Sequence, residues 1–248
     1  MKYPIGIQSF EKIINEGYLY IDKTKMIYDL IHDGNIYFLS RPRRFGKSLL
    51  VSTLECYFQG KKDLFKGLAI DELETEWKEY PVFRIDFNGK NFTEGSELLK
   101  TLIGFVEMQE AVYGKDPFHD TLGDRFCYVL KSAHEKTGQR AVVLIDEYDK
   151  PLLDVLDTGL ETVVDGQKRK IEDWNREVLK GFYSVFKAAD EHLQFVLLTG
   201  VTKFSQVSVF SGFNQPDDIS LSARYDTLLG VTEEELHTVF KEQIKEMA

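Results

Sequence analysis

Cysteine is nearly absent: Cys56 and Cys127 are the only two in 248 residues, far apart and without neighbouring metal ligands. That excludes a disulfide framework and a zinc site, and it fits a reducing compartment. His32, His119, His134, His192 and His237 are scattered without metal-ligand spacing. No apolar stretch approaches the roughly 20 residues of a membrane-spanning helix. The amino end, Met1-Lys2-Tyr3-Pro4-Ile5-Gly6, lacks the apolar region of a signal peptide. No membrane partner is therefore expected, and the expected location is the cytoplasm. Positive charge is short as well: 31 Lys and Arg against 41 Asp and Glu leave a formal net charge of −10. A broadly basic nucleic-acid-binding face does not fit that balance. Lys61-Lys62 and Lys168-Arg169-Lys170 remain as local clusters, either solvated faces or DNA contacts. Internal repeats and low-complexity tracts are missing.

Apolar and aromatic residues, by contrast, are plentiful, at 43% and 13% of the chain. They suffice for a real core and leave no case for disorder. Four apolar runs have the length and the β-branched or aromatic content of buried strands: 36–40, 82–87, 142–146 and 195–199. Helical periodicity lies between them. Over 94–112, Leu98, Leu99, Leu102, Phe105, Val106 and Met108 share a face, and 125–135 is a second helix. Over 171–189 a stripe of Ile171, Trp174, Val178, Phe182, Val185 and Phe186 predicts a long helix with Trp174 and Phe182 in the core. Strands alternating with helices predict an α/β fold with a mostly parallel central sheet and helices on both faces. The stretch 157–167 reads as a loop or insertion between the third strand and the long helix, and 211–218 as a second, irregular loop.

Chemistry enters just after the first run. Ser40-Arg41-Pro42-Arg43-Arg44-Phe45-Gly46-Lys47-Ser48 leads into Leu49-Leu50-Val51-Ser52-Thr53-Leu54, which has helical spacing. Strand, tight loop ending Gly-Lys-Ser and helix make a P-loop (Walker A) arrangement. Amides at a helix N-terminus face an anion and the helix dipole adds attraction, so the expected nucleotide cradle is Arg43, Arg44, Phe45, Gly46, Lys47, Ser48 and Leu49. Lys47 is expected on the outer phosphates and Ser48 on Mg²⁺. Arg41 departs from the pattern, which has glycine there, and Pro42 pushes Arg41 towards extended backbone. The run Val142-Val143-Leu144-Ile145-Asp146-Glu147 is an apolar strand ending in two acids, a Walker B pattern. Asp146 then holds Mg²⁺ and Glu147 polarises the attacking water. The bland alternative is that Asp146 and Asp149 cap the turn before Pro151.

The chain resembles the bacterial AAA-ATPase-like proteins, related to the archaeal-type P-loop ATPases. The matching segments are Tyr20 to Thr24, Arg41 to Ser48, Leu144 to Pro151, Thr199 to Ser205, Ser208 to Asn214 and Leu229 to Glu235. The resemblance implies a P-loop NTPase fold, ATP and Mg²⁺. It also implies a following nuclease-like domain of the PD-(D/E)XK type, and through that domain DNA as a partner. In related ATPases a polar residue at the end of the fourth strand senses the γ-phosphate, which makes Thr199 or Thr202 the candidate. Tyr18, Tyr20, Asp22 and Lys23 either flank the adenine or pack an amino-terminal helix pair. Arg43 and Arg44 either neutralise phosphate or pair with surface carboxylates. Arg224 is either a finger across a homo-oligomer interface or an ordinary exposed arginine.

The expected division is an N-terminal helical segment over 1–34, a P-loop ATPase core over 35–230, and the start of a C-terminal helical segment over 231–248. Thr232 and Glu235 form its capping box, and a further domain is expected after Ala248. The function expected is Mg-dependent ATP binding and hydrolysis. The alternative is a nucleotide-dependent switch or binding module with little or no turnover. A small-molecule kinase would use the same loop, but the adjacency of Asp146 and Glu147 argues against it.

Overall fold

Each of the four apolar runs forms a strand because it is covered on both faces. They are β1 (Ile36–Ser40), β2 (Val82–Asp86), β3 (Ala141–Asp146) and β6 (Leu193–Gly200). The structure, a computed structural model, describes residues 2–203 and 216–247. The irregular loop expected over 211–218, and the matching segments from Phe204 to Asn214, therefore lie largely outside the described residues. Asp217 and Asp218 at the end of that loop form a short strand, β7, beside β1. The sheet has five strands in the order β2-β3-β6-β1-β7, and every pairing is parallel.

Strand residues alternate between faces, and here the two faces have separate cores. Phe83, Ile85, Val143, Ile145, Val196, Leu198 and Phe38 meet one cluster, with α5 (Glu97–Tyr113), α6 (Leu122–Thr137), α8 (Ile171–Tyr183) and α9 (Val185–Ala188). Tyr37, Leu39, Val142, Leu144, Phe195 and Leu197 meet the other. That second face is covered by α1 (Phe10–Asn15), α2 (Thr24–Asp33), α3 (Lys47–Phe58) and α4 (Ala69–Leu73). A parallel sheet sandwiched in this way is the expected α/β architecture.

The loop or insertion expected over 157–167 carries a hairpin: β4 (Glu161–Val164) and β5 (Gln167–Lys170) pair antiparallel. Its two-residue turn is Asp165-Gly166, with φ of 51° and 78°, the positive pair that a tight hairpin requires. The helix expected over 171–189 breaks at Ser184. Within it Phe182 is buried, but Trp174 is only half-buried and is covered by the Arg169 guanidinium, 5.5 Å from its ring. In α5, Met108 is 63% exposed, out of phase with buried Leu98, Leu102, Phe105 and Val106. A short helix, α7 (Lys150–Leu153), follows β3, and the C-terminal segment forms α10 (Glu233–Val239) and α11 (Lys241–Met247). The Thr232–Glu235 capping box is formed.

Candidate functional site

Parallel strands bring their carboxyl ends to one rim, and pleat alternation decides which residues face α3 there. Val142 and Leu144 point to the α3 side, so Asp146, two residues on, points there too. Thr199 follows Phe195 and Leu197 to the same side. The two meet: the Thr199 hydroxyl donates to Asp146 Oδ1 at 2.5 Å, with both side chains fully buried. Asp146 Oδ2 is buried without a hydrogen-bond partner among the described residues. On β2, Arg84 faces α3, donating to Glu55 at 2.6 Å, and Asp86 again follows two residues on. Asp86 stands in register with Asp146.

The loop over 41–46 rises from β1 at the same rim. Gly46 caps α3 with φ of 95°, a left-handed conformation that glycine adopts without steric cost. The amides of Gly46, Lys47 and Ser48 have no backbone acceptor among the described residues, as the first turn of a helix dictates. Lys47 is 5% exposed, and its ammonium donates to the carbonyls of Arg41 and Pro42 at 2.9 and 3.0 Å. Burial lowers its pKa from the ordinary lysine value, opposed by the carboxylates of Asp146, Glu147 and Asp149, and Arg43 lowers it further. Lys47 and the acidic rim therefore share one site. Ser48 and Leu49 are half-buried beside it, and Arg43, Arg44 and Phe45 are exposed. Neither Arg43 nor Arg44 makes an ion pair with a described residue.

Glu147 turns the chain off β3 with φ of 54°, a left-handed backbone that costs a non-glycine residue about 1–2 kcal/mol. Partial burial raises its carboxyl pKa, Asp146 and Asp86 raise it further, and Lys47 and Arg43 oppose. Asp149 does not cap the turn before Pro151 through its side chain. Its Oδ2 instead accepts from the Val201 and Thr202 amides at 2.9 and 2.7 Å and from the Thr202 hydroxyl at 2.9 Å. Asp149 thus ties the end of β6 to the turn after β3, and Thr202 is engaged there, leaving Thr199 as the threonine that meets Asp146.

A cavity of about 890 Å³ opens beside the loop, lined by Arg43 to Leu49, Glu147, Tyr20, Lys23 and the strap Leu228 to Val231. Tyr20 both lines it and packs edge-on against Phe10. Asp22 serves packing, accepting from the Thr24 amide, the Thr24 hydroxyl and the Ala69 amide at 2.8, 2.6 and 2.7 Å. Lys23 pairs with Glu235, and the Lys2 ammonium lies 5.2 Å from the Tyr18 ring. Arg224 pairs with Asp33 beside Gly34, Asn35 and Ile36, at the amino end of β1, away from the loop.

A buried carboxylate oxygen without a hydrogen-bond partner among the described residues suits a hard divalent cation, which takes oxygen ligands. No three His, Cys, Asp or Glu among the described residues form a metal cluster. Asp86 also stands at this rim, in register with Asp146, and was not among the residues singled out in the sequence. Its signal was present: a second strand, like β3, ends in an aspartate of matching pleat phase.

A family model described as a predicted AAA-ATPase matches residues 4–210. A protein of Azotobacter chroococcum mcd 1, described as an uncharacterized protein in the vnfD 5′ region, is 41% identical over 245 residues. The match covers 98% of this chain and 45% of that relative, so the chain spans less than half the relative's length. No solved structure matches. No helix among the described residues is long and apolar enough to cross a membrane.

Proposed function

The chain belongs to the predicted AAA-ATPase family, and on that premise we propose that it is a P-loop domain that binds and hydrolyses ATP with Mg²⁺. The observation that carries the reading is the Lys47 ammonium, buried at the start of α3 and coupled to Asp146, Glu147 and Asp149. The amides from Arg43 to Leu49 receive the phosphates, and Lys47 exchanges the carbonyls of Arg41 and Pro42 for phosphate oxygens. Arg43 and Arg44, exposed and without an ion pair among the described residues, add positive charge. Ser48 and Asp146 would hold Mg²⁺, which supplies charge neutralisation on the phosphates. Glu147 holds the attacking water in line and accepts its proton, a task helped by its raised carboxyl pKa. The water oxygen bonds to the γ-phosphorus while the bridging P–O bond breaks, giving ADP and inorganic phosphate. Thr199 is the γ-phosphate sensor, acting through its hydroxyl beside Asp146.

The test is ATP binding and phosphate release by the wild type, Lys47→Ala and Glu147→Gln. Lys47→Ala should lose binding, and Glu147→Gln should bind without turnover. Unchanged affinity in Lys47→Ala overturns the proposal. A second reading, a switch that binds with little turnover, draws on the Lys47 ammonium being held by the loop's own carbonyls. A slow release rate that Glu147→Gln leaves unchanged favours that reading. By family resemblance, we extend the proposal to regulation of an attached or partner nuclease-like module acting on DNA. Nuclease assays with and without ATP, on a chain carrying such a module, test that extension.

A further inference from the structure

We propose that Asp86 is a further carboxylate of this site, holding water in the hydration shell of the divalent cation beside Asp146. The inference rests on the metal–nucleotide reading above. Adjacent strands lie about 4.8 Å apart, and Asp86 and Asp146 occupy paired positions on β2 and β3. Both face α3 by pleat alternation. Asp86 Oδ1 accepts the Asn88 amide at 2.8 Å, which orients the carboxylate. Its Oδ2 forms a long ion pair with Arg84 Nη2 at 3.9 Å, without a hydrogen bond, while Arg84 Nη1 donates to Glu55 at 2.6 Å.

The independent sign of a ligand is Asp146 itself, fully buried with one carboxylate oxygen that no described residue meets by hydrogen bond. Charge at the rim points the same way. Asp86 feels the Asp146 carboxylate and, against it, Arg84, while Glu147 feels Asp146 and Asp86 and, against them, Lys47 and Arg43. With Asp149 also acting on Lys47, the carboxylates still outnumber these cations, and a divalent ion would offset the surplus. Mg²⁺ binds through one or two protein carboxylates and retains several waters. An aspartate one strand away from a direct ligand is placed to accept hydrogen bonds from those waters.

The test uses the full chain, with Mn²⁺ as the metal and β,γ-imido-ATP as the nucleotide. Free Mn²⁺ is followed by electron paramagnetic resonance in the wild type and Asp86→Asn. Asparagine keeps an acceptor for the Asn88 amide and removes only the charge. Asp86→Asn should weaken Mn²⁺ binding about tenfold, the usual cost of losing an outer-shell partner. Its affinity for β,γ-imido-ATP in EDTA should equal that of the wild type. Wild-type Mn²⁺ affinity in Asp86→Asn overturns the inference. So does an equal loss of nucleotide affinity with and without metal, which marks a structural role. Failure of the parent reading looks different: wild type and Lys47→Ala then bind β,γ-imido-ATP alike.

Discussion

Thr199→Val isolates the contact that joins the two central strands at the rim. Valine keeps the branched shape and removes the hydroxyl, the single hydrogen-bond donor that the described residues give to the Asp146 carboxylate. The carboxylate would then be fully buried with neither oxygen bonded. A hydrogen bond to a buried charged group is worth about 1.5–3 kcal/mol, so the loss should be about 2 kcal/mol. For a chain of this size each kcal/mol moves the melting temperature by about 2–4 °C, giving a fall of about 4–8 °C. The check is a thermal melt of wild type, Thr199→Val, Asp146→Asn and the double variant in metal-free buffer. Because the cost arises from the unpaired charge, Asp146→Asn in the Thr199→Val background should recover part of the loss, a coupling of about 1 kcal/mol. A Thr199→Val melt within about 1 °C of wild type would refute the argument. Strict additivity in the double variant would refute it equally.

Gly200→Ala should destabilise by about 1–3 kcal/mol through overpacking. Its Cβ would lie 2.4 Å from Tyr148 Cε1 and 2.9 Å from Asp149 Oδ1, and chemical denaturation reads the loss. At position 147, where φ is 54°, Glu147→Gly should be more stable than Glu147→Ala by about 1 kcal/mol, since only glycine escapes the left-handed penalty. Equal denaturation midpoints for the two would show that the backbone is unstrained there. The raised Glu147 carboxyl pKa gives a pH signature. The folded state holds this proton more tightly than the unfolded chain, so stability falls as pH rises from the unfolded value, about 4.3, through the folded one. Relative to Glu147→Gln, the wild type should lose stability across that window and stay level above it. Parallel stability–pH curves for the two proteins would rule this out.

The strands, and the meeting of Lys47 with Asp146 and Glu147 at one sheet rim, were largely legible in the chain because both rest on local signals. Apolar runs mark buried strands, and Gly46-Lys47-Ser48 and Asp146-Glu147 stand where strands end. Strand order was not legible, since pairing across 40 or more residues leaves no local trace, and with it went the juxtaposition of Asp86 and Asp146. The stripe read over 171–189 was slightly out of phase. The buried face includes Asn175, Leu179 and Tyr183, and Asn175 is accommodated by donating to the Pro151 carbonyl at 2.8 Å. Trp174 looked like core, but the hairpin's Arg169 covers its ring. That hairpin was itself readable from Asp165-Gly166, a strong two-residue turn signal flanked by Thr162-Val163-Val164.

Arg41 shows why a departure from a motif need not disable it. Glycine is favoured where the backbone takes positive φ or where a ligand must approach a bare backbone. Within the loop, positive φ falls at Arg44 and Gly46 and not at Arg41. Pro42 already biases its predecessor to extended geometry, so a side chain at 41 costs little backbone strain. The Arg41 amide continues the sheet by donating to the Gly200 carbonyl at 3.1 Å. Its guanidinium runs sideways to the carbonyls of Ser220 and Ser40 instead of into the loop. The arginine therefore braces the loop against the segment after β7, and its own carbonyl helps to hold the Lys47 ammonium. Arg41→Gly should then loosen the loop without opening a new space within it. Nucleotide affinity should fall modestly, and a rise above wild type would mean that the Arg41 side chain obstructs the site.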